Sequence, residues 1–395
     1  MARAAAEAAE QNQGGLDPEG GAMVRALWLD RGGDPGRLVL TVHHLVVDGV
    51  SWHILRSDLA AAWKGTEAPG PVALPAPPAG FERWARTQAA RDRSAELPHW
   101  LAAVAPVPAC EPAPEPDRDT AGTLRRTTVR LDPETTGALL GRVPGLFNAA
   151  VDDVLLSALA LAFAEWRAGR GADPGAPLLI DMERHGRDQD DAPGVDPSGT
   201  VGWFTAVHPV RLDTAGLDPA RARAGGDDAG DALKRVKERL RAVPGSGTGH
   251  GLLRYPAAGR PGDARLAAGA APVLLFNHLG RITAAAEGEE WGAAPETGAL
   301  PPGIDPQAPV AYPFEVVAAT HDGPEGPVLT ATWAWPGRLF TDAEAEALAQ
   351  GWLDQLAGAV AHADSPAAGG HTPSDLTFGG LAQDEIDEFE AEWDL

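Results

Sequence analysis

Apolar residues recur at two spacings along this chain, and the alternation between them marks out its elements. A period of two, expected of a strand with one buried face, runs through Met23 to Asp30 and through Arg37 to Val47, where Leu38, Leu40, Val42 and His44 share a side. Arg31-Gly32-Gly33-Asp34-Pro35-Gly36 between them predicts a hairpin connection. Helical spacing takes over after Ser51, which can cap a helix carrying Trp52, Leu55, Leu59 and Trp63 on one stripe and stopping at Gly65. Residues 2–12 predict a helix upstream. A Pro-rich loop, Ala68 to Gly80, leads to a further helix with Phe81 and Trp84 on one side, and a short segment follows at Leu97 to Leu101.

Val107 to Thr120 has no periodicity and many prolines, which predicts either a linker between two lobes or an exposed loop of one continuous domain. Beyond it, Arg125 to Leu131 is strand-like, and Asp132-Pro133 supplies a cap and a first-turn proline for a helix. The widest apolar stripe runs from Ala149 to Trp166, through Val151, Val154, Leu155, Ala158, Leu159, Ala162 and Phe163, and predicts a core helix. Pro177 to Glu183 reads as a buried strand, and Asp190 to Gly199 as a loop. Thr214 to Gly230, rich in Ala, Gly, Arg and Asp, is expected to be mobile. A helix with Leu233, Val236 and Leu240 comes next, then a short strand from Val273 to Phe276. Glu315 to Thr320 and Val328 to Trp335 predict a hairpin, and Thr341 with Glu344 a capping box for a last helix bearing Leu348, Trp352, Leu356 and Val360. This irregular alternation without a repeat predicts an α+β fold of two lobes.

Composition narrows the reading. A chain of 395 residues, 44% hydrophobic, has room for two core-bearing units. Its net charge of −24 argues against nucleic acid or an anionic membrane as partner. The single cysteine, Cys110, excludes an internal disulfide and a cysteine zinc cage, and in its Pro-rich surroundings reads as an incidental thiol. No apolar run reaches the roughly 18 residues that a membrane span needs. Met1 to Gln13 lacks the hydrophobic core of a signal peptide, so the expected location is cytoplasmic.

Two polar clusters interrupt the apolar pattern where chemistry is expected. His43 and His44 sit at a strand-to-helix junction whose turn is braced by Asp48-Gly49. Taken alone, a histidine on an apolar strand face is more often a satisfied core residue than a base. The second cluster, Asp181-Met182-Glu183-Arg184-His185-Gly186-Arg187-Asp188, ends an aliphatic strand, a place where functional groups gather on rigid scaffolds. Its plainer reading pairs Glu183 with Arg184 or Arg187 at the surface. No metal site is predicted: there is no HExxH, and adjacent histidines on a strand point to opposite faces. Pro244 to Gly249 is Gly-rich but follows a helix, which argues against a dinucleotide site, and Ser51 lacks the G-x-S-x-G setting of a nucleophile.

His43 to Trp52, HHLVVDGVSW, resembles the HHxxxDG signature of the condensation-domain superfamily of nonribosomal peptide synthetases, and its Val-Ser-Trp ending resembles the epimerization branch. The cluster from Glu183 resembles EGHGRE of epimerization domains, with Arg184 for the glycine and Asp188 for the final glutamate. Further matches run in the family's order: Asp153 to Ala158 (DVLLSA), Thr200 to Thr205 (TVGWFT), Pro244 to Gly251, Phe276 to Gly280 (FNHLG for FNYLG) and His371 to Asp375 (HTPSD for YTPSD). HHxxxDG does not separate epimerization from condensation; the glutamate motif and TVGWFT do.

The resemblance implies two chloramphenicol-acetyltransferase-like lobes forming a V with a central channel, the first lobe incomplete, divided as 1–115 and 122–395. It implies that His44 faces the channel and that Asp48 is structural, with His43, Gly49, Ser51 and Trp52 in support. The implied activity is that of an isomerase, inverting the α-carbon (L to D) of an aminoacyl or peptidyl thioester in antibiotic biosynthesis, a branch of secondary metabolism. The implied partners are a peptidyl carrier protein domain, which brings the substrate on its phosphopantetheine, and the neighbouring synthetase modules; no cofactor is bound by the domain itself. Such a thioester is weakly acidic at its α-carbon, so a base on one face and an acid on the other are needed, each worth about 10²–10⁴-fold. Preorganised donors to the enolate oxygen are worth about 2.7–4 kcal/mol each. His44 and Glu183 are the expected acid/base pair, with Asn277, His278, Trp203 and His250 as candidate enolate or channel contacts; a strand-end cap is the plainer role for Asn277. Condensation, or a non-catalytic remnant that only docks carrier protein, are the competing readings.

The chain also departs from the family pattern. His250, His278 and His371 stand where tyrosine is usual, Gly199 where arginine is frequent, and Arg281-Ile282-Thr283 replaces polar and aromatic residues; Tyr255 and Tyr312 are the two tyrosines. The family's opening PxxxWF stretch and its first strand and helices have no counterpart before Met1, and an arginine bracing Asp48 is expected to belong to that stretch.

Overall fold

A computed structural model of the chain describes residues 1–66, 72–188, 192–255, 262–282, 291–301, 303–376 and, towards the C-terminus, 382, 383, 385, 386 and 388. Parts of the Ala68–Gly80 and Asp190–Gly199 loops, and Thr283, lie outside the described residues. The backbone groups into two units: Met1–Arg91, His185–Ala206 and Ala285–Asp305 form the first, and Asp92–Arg184, Val207–Ala284 and Pro306–Leu395 the second. The units are interleaved along the sequence, whereas the sequence predicts a single division into 1–115 and 122–395.

In the first unit, helix α1 (Ala2–Gly14) lays Ala8 and Ala9 on Val39, Leu27 and Leu29 of a two-stranded sheet. Strands β1 (Val24–Leu29) and β2 (Arg37–Val42) pair antiparallel from Val24 opposite Val42 to Leu29 opposite Arg37. The other face of this sheet is apolar throughout: Val24, Ala26 and Trp28 lie opposite Val42, Leu40 and Leu38. Helix α2 (Gly49–Gly65) buries one residue, Ser51. Its predicted stripe stays largely open, with Trp52 41% and Trp63 53% exposed. Helix α3 (Phe81–Ala90) packs Trp84 against Phe204, Ala79, Ala192 and Val195.

β2 stops at Val42, short of the predicted Val47. His43 caps a 3₁₀ turn over His44–Val46 by accepting the Leu45 N–H at Nδ1, 3.2 Å away. A local side-chain bond of this kind outcompetes the strand ladder. His44 is therefore on an exposed turn and not on the apolar strand face, and the two histidines are not strand neighbours alternating between opposite faces. The cap of α2 is Asp48, which accepts from Ser51 N at 2.8 Å; Ser51 lies inside the helix.

The second unit is built on a six-stranded sheet, order β3-β8-β7-β6-β4-β5. Helix α4 (Leu97–Ala103) precedes β3 (Leu124–Arg130), which is followed by α5 (Pro133–Leu140), α6 (Arg142–Phe147) and the long α7 (Val151–Gly169). Strands β4 (Leu178–Arg184) and β5 (Ala206–Leu212) lead to α8 (Pro219–Arg223), α9 (Asp228–Arg241), α10 (Thr248–Arg254) and α11 (Ala264–Ala267). Strands β6 (Leu274–Ile282), β7 (Phe314–Gly323) and β8 (Gly326–Pro336) and helix α12 (Asp342–His362) complete it. β6 runs parallel to β4 and β7, while β8 is antiparallel to β7 and β3. One sheet face, with Ile180, Met182, Phe276, Val316 and Trp333, joins α7 and α12 in a single core. Trp352 of α12 donates its indole N–H to Leu155 O at 3.0 Å.

Two stretches of this unit are more closely held than their composition suggests. Val107–Thr120 is the second of its two predicted readings, a largely exposed loop within one unit, and it is anchored: Glu111 forms a buried ion pair with Arg167 at 2.6 Å, and Asp119 pairs with Arg338. Thr214–Gly230, expected to be mobile, forms α8 and the start of α9: Asp218 caps α8, and the small side chains Ala222 and Ala229 let it pack on Leu161. Among the described residues no single helix is long and apolar enough to cross a membrane.

Candidate active site

The HHxxxDG cluster of the first unit is held from below by a buried ion pair. Asp48 is 3% exposed and receives Arg187 Nη2 at 2.8 and 2.9 Å on its two carboxylate oxygens. Ser51 N and Ser51 Oγ donate to Oδ1 at 2.8 and 2.7 Å, and Phe204 N donates to Oδ2 at 3.1 Å. Burial alone would raise this carboxyl, but the bonds from Arg187, Ser51 and Phe204 together hold it below its ordinary value. Arg187 spends its other nitrogen on Pro197 O and Thr200 O at 2.8 and 2.7 Å and lies 4.0 Å over the Phe204 ring. An arginine that braces Asp48 thus comes from the glutamate motif itself. Gly186 makes the turn possible: its φ is +63°, and a Cβ there would lie 1.8 Å from Phe204 O.

Above this knot, His44 is exposed, and its ring meets Trp203 with centroids 5.0 Å apart. His43 is turned to the backbone by its bond from Leu45 N. Gly49 opens α2, and Trp52 is exposed on its first turn. His44, Asp48, Ser51, Trp203 and Arg187 therefore belong to one construction within the first unit.

Glu183 and Asn277 form the corresponding pair in the second unit. They are register partners on parallel strands β4 and β6. Met182 and Phe276 beside them point into the core, so strand alternation sends Glu183 and Asn277 together to the opposite sheet face. Asn277 is mid-strand, which removes the strand-end-cap reading. Two residues before Glu183, Asp181 accepts from Tyr312 Oη at 2.8 Å, and burial pushes its carboxyl up. The neighbouring arginines turn elsewhere: Arg184 to Asp152 at 3.1 Å and Arg187 to Asp48.

His278 and His250 are not placed with Glu183. His278 shares its row with Ala318 on the core side, and its Nδ1 lies 2.6 Å from Asp152 Oδ1 at the start of α7. His250 is buried on α10 against Trp100, 5.5 Å between ring centroids, and His208 packs on the same indole at 5.7 Å. Burial pushes both imidazoles down, His250 to about 4 and His208 to about 3, so both are neutral at pH 7. Among the described residues no group of three or more His, Cys, Asp or Glu is arranged to hold a metal. Sequence reasoning missed Arg187 and the Asp181–Tyr312 bond. The signal for Arg187 was its place in the same short cluster as Glu183.

In the first unit an exposed imidazole can exchange a proton; in the second, a half-buried carboxylate can do the same beside a carboxamide able to donate a hydrogen bond to a developing oxyanion. A family model described as Condensation domain matches residues 1–377. The chain is 34% identical over 392 residues to a linear gramicidin synthase from Brevibacillus parabrevis, spanning 97% of this chain and 5% of that protein. It is 30% identical over 378 residues to tyrocidine synthase 1 of the same organism, spanning 94% of this chain and 33% of that one. The chain thus spans a small part of these relatives' length. Among solved structures, the epimerization domain from the third module of tyrocidine synthetase B aligns with TM-score 0.74 and 26% identity over 92% of this chain and 77% of that one. A structure describing condensation domain-mediated chain release from the enacyloxin polyketide synthase shares the fold, with TM-score 0.59 and 20% identity over 96% of this chain and 67% of that one.

Proposed function

The chain belongs to the condensation-domain family, and from that premise we propose that it inverts the α-carbon, L to D, of an aminoacyl or peptidyl thioester carried on the phosphopantetheine of a peptidyl carrier protein. Its setting is a nonribosomal peptide synthetase in the cytoplasm, with neighbouring modules as further partners. The observation that carries this reading is Glu183 beside Asn277 on the sheet face away from the core, at the head of the segment whose Arg187 pairs with Asp48. A base removes the α-proton, the electron pair moves to the thioester oxygen, and an acid returns a proton to the other face of the carbon. His44 and Glu183 are the two proton-transfer groups, and the Asn277 amide is the donor to the enolate oxygen.

The test loads the carrier protein with an aminoacyl group and follows deuterium entry at the α-carbon in D₂O. Glu183→Gln should slow exchange by about 10²–10⁴-fold, the range that a positioned acid or base supplies. Exchange at the original rate in that variant overturns the assignment. Amide formation from two carrier-bound substrates without exchange assigns condensation instead, and carrier binding with neither reaction assigns a docking role.

A further inference from the structure

TVGWFT is fastened to the end of HHxxxDG at two residues, and the residue between them is Trp203. Gly202 N donates to Ser51 Oγ at 3.1 Å, and the same hydroxyl lies 3.0 Å from Gly202 O. Phe204 N donates to Asp48 Oδ2, and the Phe204 ring is buried against Phe81 and Trp84, with centroids 5.1 and 4.8 Å away. Both neighbours of Trp203 are thus fixed to the HHxxxDG segment. The Trp203 side chain emerges 43% exposed and meets the His44 ring at 5.0 Å with 56° between the planes.

The two histidines are held differently. His43 is oriented by a backbone N–H on its Nδ1. His44 stands exposed on a single 3₁₀ turn, and its aromatic neighbour is the indole. An exposed imidazole otherwise samples several rotamers, and a proton-transfer group must hold its nitrogen near one position.

We infer that Trp203 is a positioning residue: the Asp48–Arg187–Ser51 knot serves to press its indole against His44 and so to hold the imidazole in its working orientation. The inference rests on the reading of His44 as a proton-transfer group. Because Trp203 is half-exposed and outside the hydrogen-bonded knot, replacing it leaves the fold in place.

The experiment compares Trp203→Leu, Trp203→Phe and Gly202→Ala in the full chain. The His44 ring resonances, assigned by their loss in His44→Gln, lie under the indole ring current and should move in Trp203→Leu to positions of a freely rotating histidine. The same variant should lose kcat for α-deuterium exchange by about 10- to 100-fold, the scale of a misplacement near 1 Å, with KM for the loaded carrier changed by less than about twofold. Trp203→Phe keeps an aromatic face and should restore most of kcat. In Gly202→Ala, a Cβ would sit 2.5 Å from Phe81 Cδ2, so the segment shifts and the His44 resonances should move with Trp203 unchanged. Unmoved resonances in Trp203→Leu overturn the inference, as does a loss confined to KM, which would make Trp203 a substrate contact. The resonances are read without turnover, so a chain that exchanges no α-hydrogen defeats the role of His44 while they still decide whether Trp203 orients its ring.

Discussion

Helices α2 and α7 look alike in the sequence and end in opposite situations. Each carries large apolar residues at helical spacing. α7 buries thirteen of its nineteen residues, while α2 buries one of seventeen. The difference lies in what the rest of each unit supplies. α7 lies in one core with the six-stranded sheet and α12, and Trp352 ties the two helices through Leu155 O. The first unit offers α2 a sheet of two short strands, where Trp63 meets Trp28 at 6.3 Å while Val24, Trp28 and Leu38 of the same apolar face stay exposed. Periodicity states which face favours burial; it does not state that a partner layer exists. What is tightly held in the first unit is polar, the knot of Asp48, Arg187 and Ser51 on the Phe204 ring. The second unit has one large apolar core and a buried ion pair of its own, Glu111–Arg167; the first has two small apolar clusters beside its ion pair.

Arg187→Ala breaks that contrast most directly. It leaves Asp48 charged and buried without its partner, a change that costs about 3–5 kcal/mol. Hydrogen exchange should show protection lost across 185–206 and the start of α2, and kept in β6, β7 and β8. Equal loss in both regions would mean that the ion pair does not order the first unit separately.

Acid should separate the units by pH. His250 and His208 are depressed in the folded chain, to about 4 and about 3, and take their ordinary 6.5 when unfolded. The unfolded chain therefore binds protons first, and the second unit loses stability as pH falls from 6.5 towards 4, by up to about 3 kcal/mol for His250. Asp48 acts in the same direction on the first unit, but in a more acidic window. Its folded value lies below 3.8, so its contribution is complete above that pH and is lost only as pH falls through the folded value. Urea unfolding at stepped pH, resolved by hydrogen exchange, checks both windows. His250→Phe should flatten the upper one, and no flattening would place the acid sensitivity elsewhere.

Legibility in the sequence followed the same divide. The capping box of Thr341 and Glu344, the core stripe of α7 and the β7–β8 hairpin stand where the pattern puts them, because each is a local signal backed by a full core. The misread residues lie where a short side-chain bond outcompetes the pattern: His43 ends β2 early, and Asp48 takes the cap expected of Ser51. Motif spacing marked Asp48 and Glu183 as residues of interest, but Arg187 lies 139 residues from Asp48, and no local rule pairs them. For His278 the phase of β6 sets the side of the sheet. Phe276 faces the core, so Asn277 faces out and His278 faces back, towards Asp152.

The smallest effect tests whether α2 is open in solution. Trp63 is 53% exposed and stacks on Trp28, itself 53% exposed, at 6.3 Å. A stacked aromatic pair contributes about 0.5–1.5 kcal/mol beyond its buried area, so Trp63→Ser should cost no more than about 1 kcal/mol. It should also lower the binding of a hydrophobic dye, since apolar patches of this kind are what such dyes occupy. Leu159→Ala on α7 should cost about 2–5 kcal/mol, the range for a buried leucine. A Trp63→Ser cost inside that range, read from the same urea curves, would show the α2 face buried against another surface in solution. The two helices would then differ in the source of their partner layer, one found within its own unit and the other outside it.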